Sequence, residues 1–428
     1  MIIRNSAQIC NTRRAQDAID ILEAGLDAAN PANILPNFVQ ENTIRINDDA
    51  TNLDKYDSIY TVAFGKAADS MSRVVNRLLD VRGGIIVMPT DSKPYIRGNK
   101  FKLYRAGHPY PNRHSVTAAK GVIKFLSNRR RDDFVLFLVS GGASSLLALP
   151  DGISLSDKMH CTQTLLQSGA SISEINCVRK HISKVKGGKL LEHMTCSGAS
   201  LIMSDVEGDD PETVASGTTY MDSTTFEDAL QVMERFNLTE KIHKEILDRL
   251  LDGSAGQISE TPKHQIIPYQ IVANNNTCLE AMIHDAQNKG YNASMIQHYG
   301  DIGGVADSLV RSSPQSGECV IFGGEPTVHV TGKGRGGRNQ ELVLRIAQMN
   351  TDQSLIVASM GTDGIDGNTR IAGAIHRGLL QDKNLAASCM QDNDSFTYFE
   401  RHNGLIKTGH TNTNLADIGL MISGHPKG

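Results

Sequence analysis

Strand-like apolar runs alternate with segments of helical period along almost the whole chain, and this alternation severely limits the possible folds. Short apolar runs bounded by glycine or polar residues are typical of buried strands, and apolar residues spaced three and four apart are typical of the helices that cover a sheet. Their alternation predicts an α/β protein with parallel sheets. The first series of strands is predicted at residues 58–64, 83–88, 134–139 and 199–203.

A second series follows toward the C-terminus and predicts a second sheet. Its strands are predicted at residues 265–272, 319–322 and 355–358, and its helices at about 277–289, 338–348 and 376–392. Residues 251–263 separate the two series; they are rich in Gly, Ser, Thr and Pro and show no period, as in an exposed connection. We therefore predict two domains, 1–262 and 263–405.

Composition narrows the function classes. The 428 residues exceed what a single core usually holds, and 43 basic against 47 acidic residues give a formal net charge of −4 without long charged runs. This excludes the basic surface expected of a protein that binds nucleic acid or anionic membrane, and leaves small molecules as partners. Without a secretory signal or a long apolar segment, and with seven scattered cysteines, the chain is predicted to be a cytoplasmic protein with reduced thiols.

The motif LVSGGASSLL is the clearest candidate anion site. An apolar strand runs directly into glycines and then into residues that can begin a helix, where free backbone N–H groups can receive phosphate or carboxylate oxygens. The alternative is an ordinary strand-to-helix turn. The candidate binding residues are Ser140, Gly141, Gly142, Ala143 and Ser144.

Lys66 occupies a related turn in VAFGKAADSM, directly after another apolar strand. The chain lacks GxxxxGK[ST] at this position, so the phosphate arrangement of P-loop enzymes does not apply. Lys66 either faces a bound anion or is an exposed lysine at the start of a helix.

A short basic segment, EINCVRKHISKVKGGKLLEH, stands out from its nearly neutral surroundings. A nucleotide and a carboxylate substrate bring several negative charges that need compensation, and Arg179 and Lys186 are the candidates to supply it. The alternative is a solvated basic helix face. The basic residues of the segment are Arg179, Lys180, Lys184, Lys186 and Lys189.

The segment SDVEGDDPETVASG has the opposite charge. Asp205 follows an apolar strand, and a carboxylate at a strand end suits Mg²⁺, which prefers oxygen ligands and often shares them with phosphates. Asp209 and Asp210 follow soon after, and a simple turn before Pro211 is the alternative for them.

The glycine-rich segment GGEPTVHVTGKGRGGRNQE permits two interpretations. Gly332, Gly334 and Gly337 satisfy GxGxxG, and Asp363 lies somewhat more than 20 residues further on, as in dinucleotide-binding proteins. The competing interpretation is a basic glycine loop that serves a transferring phosphoryl group. The basic residues of the loop are Lys333, Arg335 and Arg338.

A second aspartate pair lies in SMGTDGIDGNTRIAGA. Asp363 and Asp366 could hold a metal or orient a hydroxyl group, or they could simply form Asp-Gly turns.

Taken together, these segments resemble the glycerate 2-kinase family, also called type II glycerate kinases, whose C-terminal part is the MOFRL domain. The resemblance covers nearly the whole chain, and many matches in the same order are far more specific than any one glycine loop. It is carried by FGKAA at Phe64, HPYPN at His108, SGGASSLL at Ser140, RKHISKVKGGKL at Arg179, SDVEGDDPETVASG at Ser204, GGEPTV at Gly323, GRGGRNQE at Gly334 and GTDGIDG at Gly361.

This resemblance implies two Rossmann-like α/β/α domains with an active-site cleft between them, ATP and Mg²⁺ as cosubstrate and cofactor, and 2-phosphoglycerate as product. It implies Lys66 and Arg338 as catalytic residues, and a last segment, 406–428, that returns to the first domain. The chain departs from the family pattern at Arg370 and Ile371, where an acidic residue is usual before AAGA, and at Asn412, where glycine is commoner.

The resulting hypothesis is an ATP-dependent kinase of carbohydrate metabolism that phosphorylates D-glycerate at its 2-hydroxyl, as a monomer or homodimer. Asp205 and Asp363 are the candidate Mg²⁺ ligands. Two alternatives remain open: an NAD(P)H-dependent hydroxypyruvate reductase, and a noncatalytic ligand-binding relative. The residues predicted to hold the nucleotide or substrate are the turn Ser140–Ser144, Arg179, Lys186, Gly334, Gly336 and Gly337.

Overall fold

The computed structural model describes residues 1–96 and 98–425. The helices, in chain order, are α1 (Ser6–Ile9), α2 (Arg13–Ala28), α3 (Pro31–Ile34), α4 (Ala68–Leu78), α5 (Arg113–Ser127), α6 (Ala143–Leu146), α7 (Leu155–Gln167), α8 (Ile172–His181), α9 (Phe226–Arg235), α10 (Lys244–Ser254), α11 (Asn275–Asn288), α12 (Ile302–Arg311), α13 (Arg338–Met349), α14 (Lys383–Gln391) and α15 (Ser395–Arg401). The strands are β1 (Val39–Gln40), β2 (Thr43–Ile46), β3 (Asp49–Asn52), β4 (Ser58–Phe64), β5 (Val81–Pro89), β6 (Phe101–Ala106), β7 (Asp133–Ser140), β8 (Ser197–Met203), β9 (Tyr269–Ala273), β10 (Asn292–Asp301), β11 (Glu318–Thr327), β12 (Ile356–Gly361), β13 (Gly373–Arg377), β14 (Leu405–Ile406) and β15 (Asp417–Ser423).

The chain forms two compact units. Leu35–Val272 forms one, the inserted unit, while Met1–Ile34 and the chain from Ala273 onward form the other, the terminal unit. The predicted α/β class with two domains is confirmed by this division and by the sheets within it.

The inserted unit contains a doubly wound sheet in the order β6-β5-β4-β7-β8-β9, in which each neighbouring pair from β6 to β8 is parallel. Counted within the sheet, this is the 3-2-1-4-5-6 order of Rossmann-type folds, with its switch point between β4 and β7. A small antiparallel sheet, β1-β2-β3, belongs to the same unit.

The central strands form because their sequences are apolar without interruption, as helix layers on both faces require. Every residue of β7, DFVLFLVS, is buried, and only one residue of β4 is not. Helix α5 covers them and begins at Asn112, whose side chain accepts from the backbone N–H groups of His114 and Ser115. All four strands predicted for the first sheet are confirmed within two residues at each end.

The terminal unit contains a mixed sheet, so the prediction of a parallel second sheet is wrong. Its order is β10-β11-β15-β12-β13-β14, in which β10 and β11 are parallel and every other pair is antiparallel. The predicted strand at 265–272 belongs to the first sheet, as β9 at its edge. The predicted helix at 376–392 begins only at Lys383, because the preceding residues form β13, which ends before Gly378 in a left-handed conformation (φ 66°).

The predicted domain assignment of both chain ends is wrong. Strand β15 lies between β11 and β12, so residues 406–428 do not complete the first domain as expected. The N-terminal segment also belongs to the terminal unit, where Lys289 Nζ lies 3.1 Å from Asp20 Oδ2 and the Tyr291 hydroxyl donates to Asp17 Oδ2 at 2.9 Å. The predicted boundary at 262 precedes the observed one at Val272 because β9 was assigned to the wrong sheet.

All seven cysteines are free thiols, as the scattered spacing predicted. Within residues 1–96 and 98–425, no helix combines the length and apolar character needed to cross a membrane.

Candidate active site

In the inserted unit, the carboxyl ends of three adjacent parallel strands carry the residues predicted to bind nucleotide. Phe64 of β4 pairs with Val139 of β7, and Ser140 of β7 pairs with Met203 of β8. Lys66, the Gly141–Gly142 turn and Asp205 all follow within two residues of these paired ends and therefore lie at one edge of the sheet. This edge, at the switch point, is where ligands bind in open α/β sheets.

Glycines let the turns after β4 and β7 approach each other closely. The backbone N–H of Lys66 donates to the Gly141 carbonyl (3.0 Å), and that of Ala67 donates to the Ser140 hydroxyl (3.0 Å). Gly65 has φ 130°, and a Cβ there would lie 2.1 Å from Ser140 Oγ, so no other residue fits. The two turns are thus held together by direct hydrogen bonds.

Gly142 brings two side chains to the same turn. It has φ 80°, and a Cβ added to it would lie 2.8 Å from His108 Nε2 and 3.3 Å from Lys66 Cγ. The imidazole of His108 and the stem of Lys66 therefore flank the glycine backbone. The role of His108 here was not predicted, although its sequence motif was noted.

The helix expected to begin at Ala143 is only one turn long, α6. A single turn contributes little helix dipole, so open glycine backbone and nearby side chains are what this turn offers an anion. The hydroxyl of Ser144 is hydrogen bonded to that of Ser216 (2.9 Å), which links the turn to the loop after β8.

That loop contains three consecutive residues in the left-handed region: Ala215 (φ 54°), Ser216 (φ 54°) and Gly217 (φ 62°). For non-glycine residues this conformation costs about 1–2 kcal/mol each, and such strain clusters at functional sites. The ammonium of Lys186, which is almost completely buried, donates to the Ala215 carbonyl (3.0 Å), and the N–H of Gly187 donates to the Ser216 carbonyl (3.1 Å). Lys186 thus stabilises the strained loop, a role that the sequence pattern did not indicate.

The predicted basic segment separates into side chains with different partners. Lys180 is neutralised by Glu212 and Asp222, each 3.0 Å away, and is structural. Lys184 is exposed and lies 3.5 Å from Asp151, as a solvated lysine would. Arg179 and Lys186, the two predicted ligand-binding residues of the segment, form no such ion pairs with the residues that the structure describes.

Of the predicted acidic residues, Asp205 is half-buried directly after β8. Asp210 makes a turn, accepting from the Glu212 N–H (3.0 Å) and the Thr213 hydroxyl (2.7 Å), so the structural alternative is confirmed for it. Asp205 remains the candidate metal ligand of this unit.

In the terminal unit, two carboxylates fix the guanidinium of Arg338 at the start of α13. Its Nε and Nη2 both donate to Asp417, and Nη1 donates to Glu325 (2.6 Å). Burial lowers the pKa of Arg338, but the charges of Asp417 and Glu325 outweigh burial and raise it above the usual value. Arg338 is thus a permanent positive charge of fixed orientation; neither carboxylate partner was predicted.

The glycine loop before α13 packs against residues 392–395 instead of presenting an open backbone. The N–H of Gly334 donates to the Asp392 carbonyl (2.8 Å), and that of Gly336 to Asn368 Oδ1 (2.9 Å). A Cβ at Gly334 would lie 2.4 Å from the Asp394 Cβ, which explains the need for glycine. Nucleotide binding by Gly334, Gly336 and Gly337 remains a prediction, and two of their N–H groups are already occupied.

The context that a dinucleotide fingerprint requires is absent here. Strand β11 ends at Thr327, ten residues before the helix, whereas the fingerprint glycines must follow a strand directly and lead into a helix. The side chains of Asp392 and Asp394 accept from the N–H groups of Lys333 and Arg335, and their negative charge opposes a pyrophosphate. The loop therefore gives no support to a reductase.

The Asp366 carboxylate caps the N-terminus of helix α13. One carboxylate oxygen accepts from the Asn339 N–H (3.0 Å) and the other from the Gln340 N–H (2.9 Å), and both residues add side-chain donors. Asp363 lies after β12 and accepts from the Ile365 N–H (3.0 Å). Both predicted aspartates are therefore used in turns or caps, which does not exclude a ligand on Asp363.

Replacing Asp366 with asparagine should lower the free energy of unfolding by about 2 kcal/mol, because an amide presents two N–H groups to donors that need an acceptor.

Burial raises the pKa of Asp366 to about 6, although the hydrogen bonds from the N–H groups of Gln340 and Asn339 oppose the shift. The folded protein then binds this proton more tightly than the unfolded chain, whose pKa is about 4. The group's contribution to stability is full below pH 4 and is lost as the pH rises toward 6.

Urea unfolding of the wild type and Asp366→Asn at several pH values between 4 and 7 measures both effects. The loss of stability between pH 4 and 6 should be smaller in the variant than in the wild type, by the contribution of Asp366. Equal slopes in the two proteins would show that Asp366 is ionised throughout this range.

No group of three or more His, Cys, Asp or Glu side chains within residues 1–96 and 98–425 is arranged to hold a metal by itself. Mg²⁺ bound to a nucleotide is commonly held by one or two carboxylates together with phosphates. Asp205 fits that chemistry, being a half-buried carboxylate at the same sheet edge as the glycine turn.

Comparison with known proteins matches two family models, one for each part of the chain. The model of a domain of unknown function, DUF4147, matches residues 17–251, and the MOFRL family model matches residues 318–417. The chain therefore belongs to the class of proteins that combine a DUF4147 domain with a MOFRL domain.

Full-length relatives give the particular family. A glycerate 2-kinase of Pyrococcus horikoshii is 35% identical and aligns with 95% of this chain and 98% of its own, and a D-glycerate 2-kinase of Thermotoga maritima is 34% identical with the same coverage. The crystal structure of a glycerate kinase from Thermotoga maritima matches with a TM-score of 0.79 and 32% identity, covering 95% of this chain and 98% of that one. The chain belongs to the glycerate 2-kinase family. Relatives from Agrobacterium vitis carry a provisional hydroxypyruvate reductase name.

Proposed function

We propose that this protein transfers the γ-phosphoryl group of ATP to the 2-hydroxyl of D-glycerate, giving 2-phospho-D-glycerate and ADP. One structural observation supports the proposal: a lysine, a glycine turn and an aspartate each follow the carboxyl end of one of three adjacent parallel strands, at the switch point of the first sheet. These are Lys66, the Gly141–Gly142 turn and Asp205. A Mg²⁺–nucleotide needs these same three components, and the relatives' names supply the acceptor.

The phosphates of ATP are proposed to bind at the turn from Ser140 to Ser144, with Lys66 beside them. Bound Mg²⁺ would supply charge neutralisation, and Asp205 would hold it, with Asp363 as the other candidate ligand. The glycine loop before α13 would contribute through the exposed side chains of Lys333 and Arg335, because much of its backbone is already hydrogen bonded.

Phosphoryl transfer depends mainly on positioning and on charge stabilisation, so a dedicated strong base is not required. Lys66 and Arg338 are proposed to stabilise negative charge on the transferring group. The two carboxylates on Arg338 keep its guanidinium in one orientation before substrate arrives, and such preorganisation lowers the cost of reorganisation during the reaction.

We also propose that the enzyme acts in the cytoplasm on small molecules, without nucleic acid or membrane, as a monomer or homodimer. Size-exclusion chromatography with light scattering would decide the oligomeric state.

ADP release from ATP, Mg²⁺ and each enantiomer of glycerate tests the reaction class. D-glycerate should support turnover, and L-glycerate should support little. A parallel assay with hydroxypyruvate and NADH or NADPH should show no oxidation of the cofactor. Nicotinamide oxidation without ADP release would replace the kinase with a reductase, and specific binding without either reaction would indicate a noncatalytic relative.

A further inference from the structure

Arg179 offers unused hydrogen-bond donors of the kind that bind an anion. Its guanidinium is half-buried in the last turn of α8 and makes one hydrogen bond to a side chain, from Nη1 to Asn176 Oδ1 (3.3 Å). No carboxylate within residues 1–96 and 98–425 forms an ion pair with it, and burial alone lowers its pKa to about 10. A guanidinium has five N–H donors, so most of this one's hydrogen-bonding capacity is unused.

Two further basic side chains lie buried next to Arg179. Lys158 Nζ donates to the carbonyls of Arg179 (3.1 Å) and Ile182 (3.4 Å), and Lys186 Nζ donates to a carbonyl and to a hydroxyl. Burial lowers the pKa of both lysines, and the charge of Arg179 lowers both further. Burial and like charge thus favour the neutral form of both lysines, and a bound anion would favour their charged form.

Lys180, the next residue in the chain, differs from Arg179 in having carboxylate partners. Lys180 is adjacent to Arg179 in sequence and equally close to buried structure, yet it is paired with Glu212 and Asp222 at 3.0 Å. The fold therefore supplies carboxylates to Lys180, whereas Arg179 has an amide oxygen as its partner and Lys186 has a carbonyl and a hydroxyl.

A short hydrogen-bond chain connects Arg179 to the glycine turn. Asn176 Oδ1, which accepts from Arg179, also accepts from the Ser216 hydroxyl (3.0 Å), and Ser216 is bonded to Ser144 (2.9 Å). Asn176 is 3% exposed, so its side chain is held in place. The left-handed conformation of Ser216 aims its hydroxyl into this chain.

We propose that Arg179 binds the carboxylate of the hydroxy-acid substrate and that Asn176 is a positioning residue for the Arg179 guanidinium. Lys158 and Lys186, buried nearby, add positive charge when the anion is bound. This rests on the proposed function and identifies how the acidic end of the substrate is recognised. A planar guanidinium matches a planar carboxylate through two parallel hydrogen bonds, which an isolated lysine cannot provide. The glycine turn, in contrast, offers backbone to the phosphates.

Arg179→Met tests the proposal through substrate preference. The KM for D-glycerate should rise about 100-fold, while the KM for ATP changes less than about threefold, because only the carboxylate loses its partner. Wild-type preference for D-glycerate over glyceramide, its uncharged amide, should largely disappear. Lys184→Met is the matched control, since it removes a positive charge from the same segment at an exposed side chain, and it should change none of these values.

Two conservative variants distinguish loss of glycerate binding from misfolding. Arg179→Lys keeps the charge but loses the two-pronged geometry, and should recover only part of the glycerate affinity. Asn176→Asp keeps both accepted hydrogen bonds and adds a carboxylate that competes for Arg179, so it should raise the KM for glycerate and leave the KM for ATP unchanged.

Calorimetric titration with D-glycerate separates failure of this proposal from failure of the proposed function. Glycerate binding to the wild type, lost in Arg179→Met, would support the site even without turnover. Unchanged glycerate binding and glyceramide discrimination in Arg179→Met, or a rise confined to the KM for ATP, would overturn it. A wild type that neither binds nor phosphorylates glycerate would overturn both.

Discussion

Replacing Arg338 with alanine is expected to lower kcat for glycerate phosphorylation by roughly 100- to 1000-fold, the loss that follows removal of one preorganised charge-stabilising group. Asp417 and Glu325 hold the guanidinium at the start of α13. The effect should fall on kcat because charge on the transferring phosphoryl group develops in the transition state. Steady-state assays with saturating ATP and glycerate would measure it.

Loss of stability must be separated from loss of catalysis in this variant. The Asp417 side chain is 5% exposed, and removing its partner should cost about 3 kcal/mol in the free energy of unfolding. Arg345 offers a matched control on the same helix: its side chain is 34% exposed, against 33% for Arg338, and it is paired with Glu341, which is 4% exposed. Arg345→Ala should be similarly destabilised but keep most of its kcat.

Urea unfolding and kinetics of both variants decide the matter. A kcat that falls equally in Arg338→Ala and Arg345→Ala would assign the loss to stability. Near-normal turnover in a folded Arg338→Ala protein would remove Arg338 from the catalytic residues.

Replacing Lys66 with methionine is expected to lower kcat/KM for ATP by roughly 100-fold or more, because one charged donor to the phosphates is lost. Methionine keeps the length and apolar stem that lies 3.3 Å from the position of a Gly142 Cβ, so the turn should keep its shape. Lys66→Arg keeps the charge and should retain part of the activity.

Lys55→Met is the control for this variant, because Lys55 is exposed and precedes the opposite end of the same strand, β4. It should behave as the wild type. A Lys66→Met protein with unchanged ATP kinetics would show that Lys66 is only a solvated lysine at the start of a helix, which is the structural alternative.

The first sheet was predictable because its strands are continuous apolar runs. Strands β4 and β7 are buried on both faces, and their largely apolar sequences, SIYTVAF and DFVLFLVS, predict this burial. Once these strands are parallel neighbours, the residues that follow them must meet at one edge. The strand pairing therefore places Lys66 and the glycine turn at the same edge, and their binding and catalytic roles remain predictions.

The second sheet was less predictable because strand direction depends on pairing between distant residues. Nothing local in DIGLMIS, the sequence of β15, indicates that it inserts antiparallel between β11 and β12. The five residues of β13 merge with a helical pattern, so they were assigned to the following helix. The assignment of the last segment to the first domain failed for the same reason.

The hydrogen-bond partners of the site residues could not be predicted from the sequence either. Asp417 lies 79 positions from Arg338, and no periodicity relates them. The Ser216–Gly217 pair signals a turn, but nothing local predicts the left-handed backbone at Ala215 and Ser216. Hydrogen bonds from Lys186 and Gly187 stabilise that conformation. Such features depend on tertiary contacts, and only the structure reveals them.

Phosphorus NMR of the product formed from ATP, Mg²⁺ and D-glycerate should be the deciding measurement, with Arg338→Ala protein purified in the same way as the control for contaminating kinases. The expected result is 2-phosphoglycerate and an equal amount of ADP with the wild type, and almost none with the variant. A product phosphorylated at the 3-hydroxyl would contradict the proposed regiochemistry. No phosphorylated product from either enantiomer would contradict the assignment of this protein as a glycerate kinase.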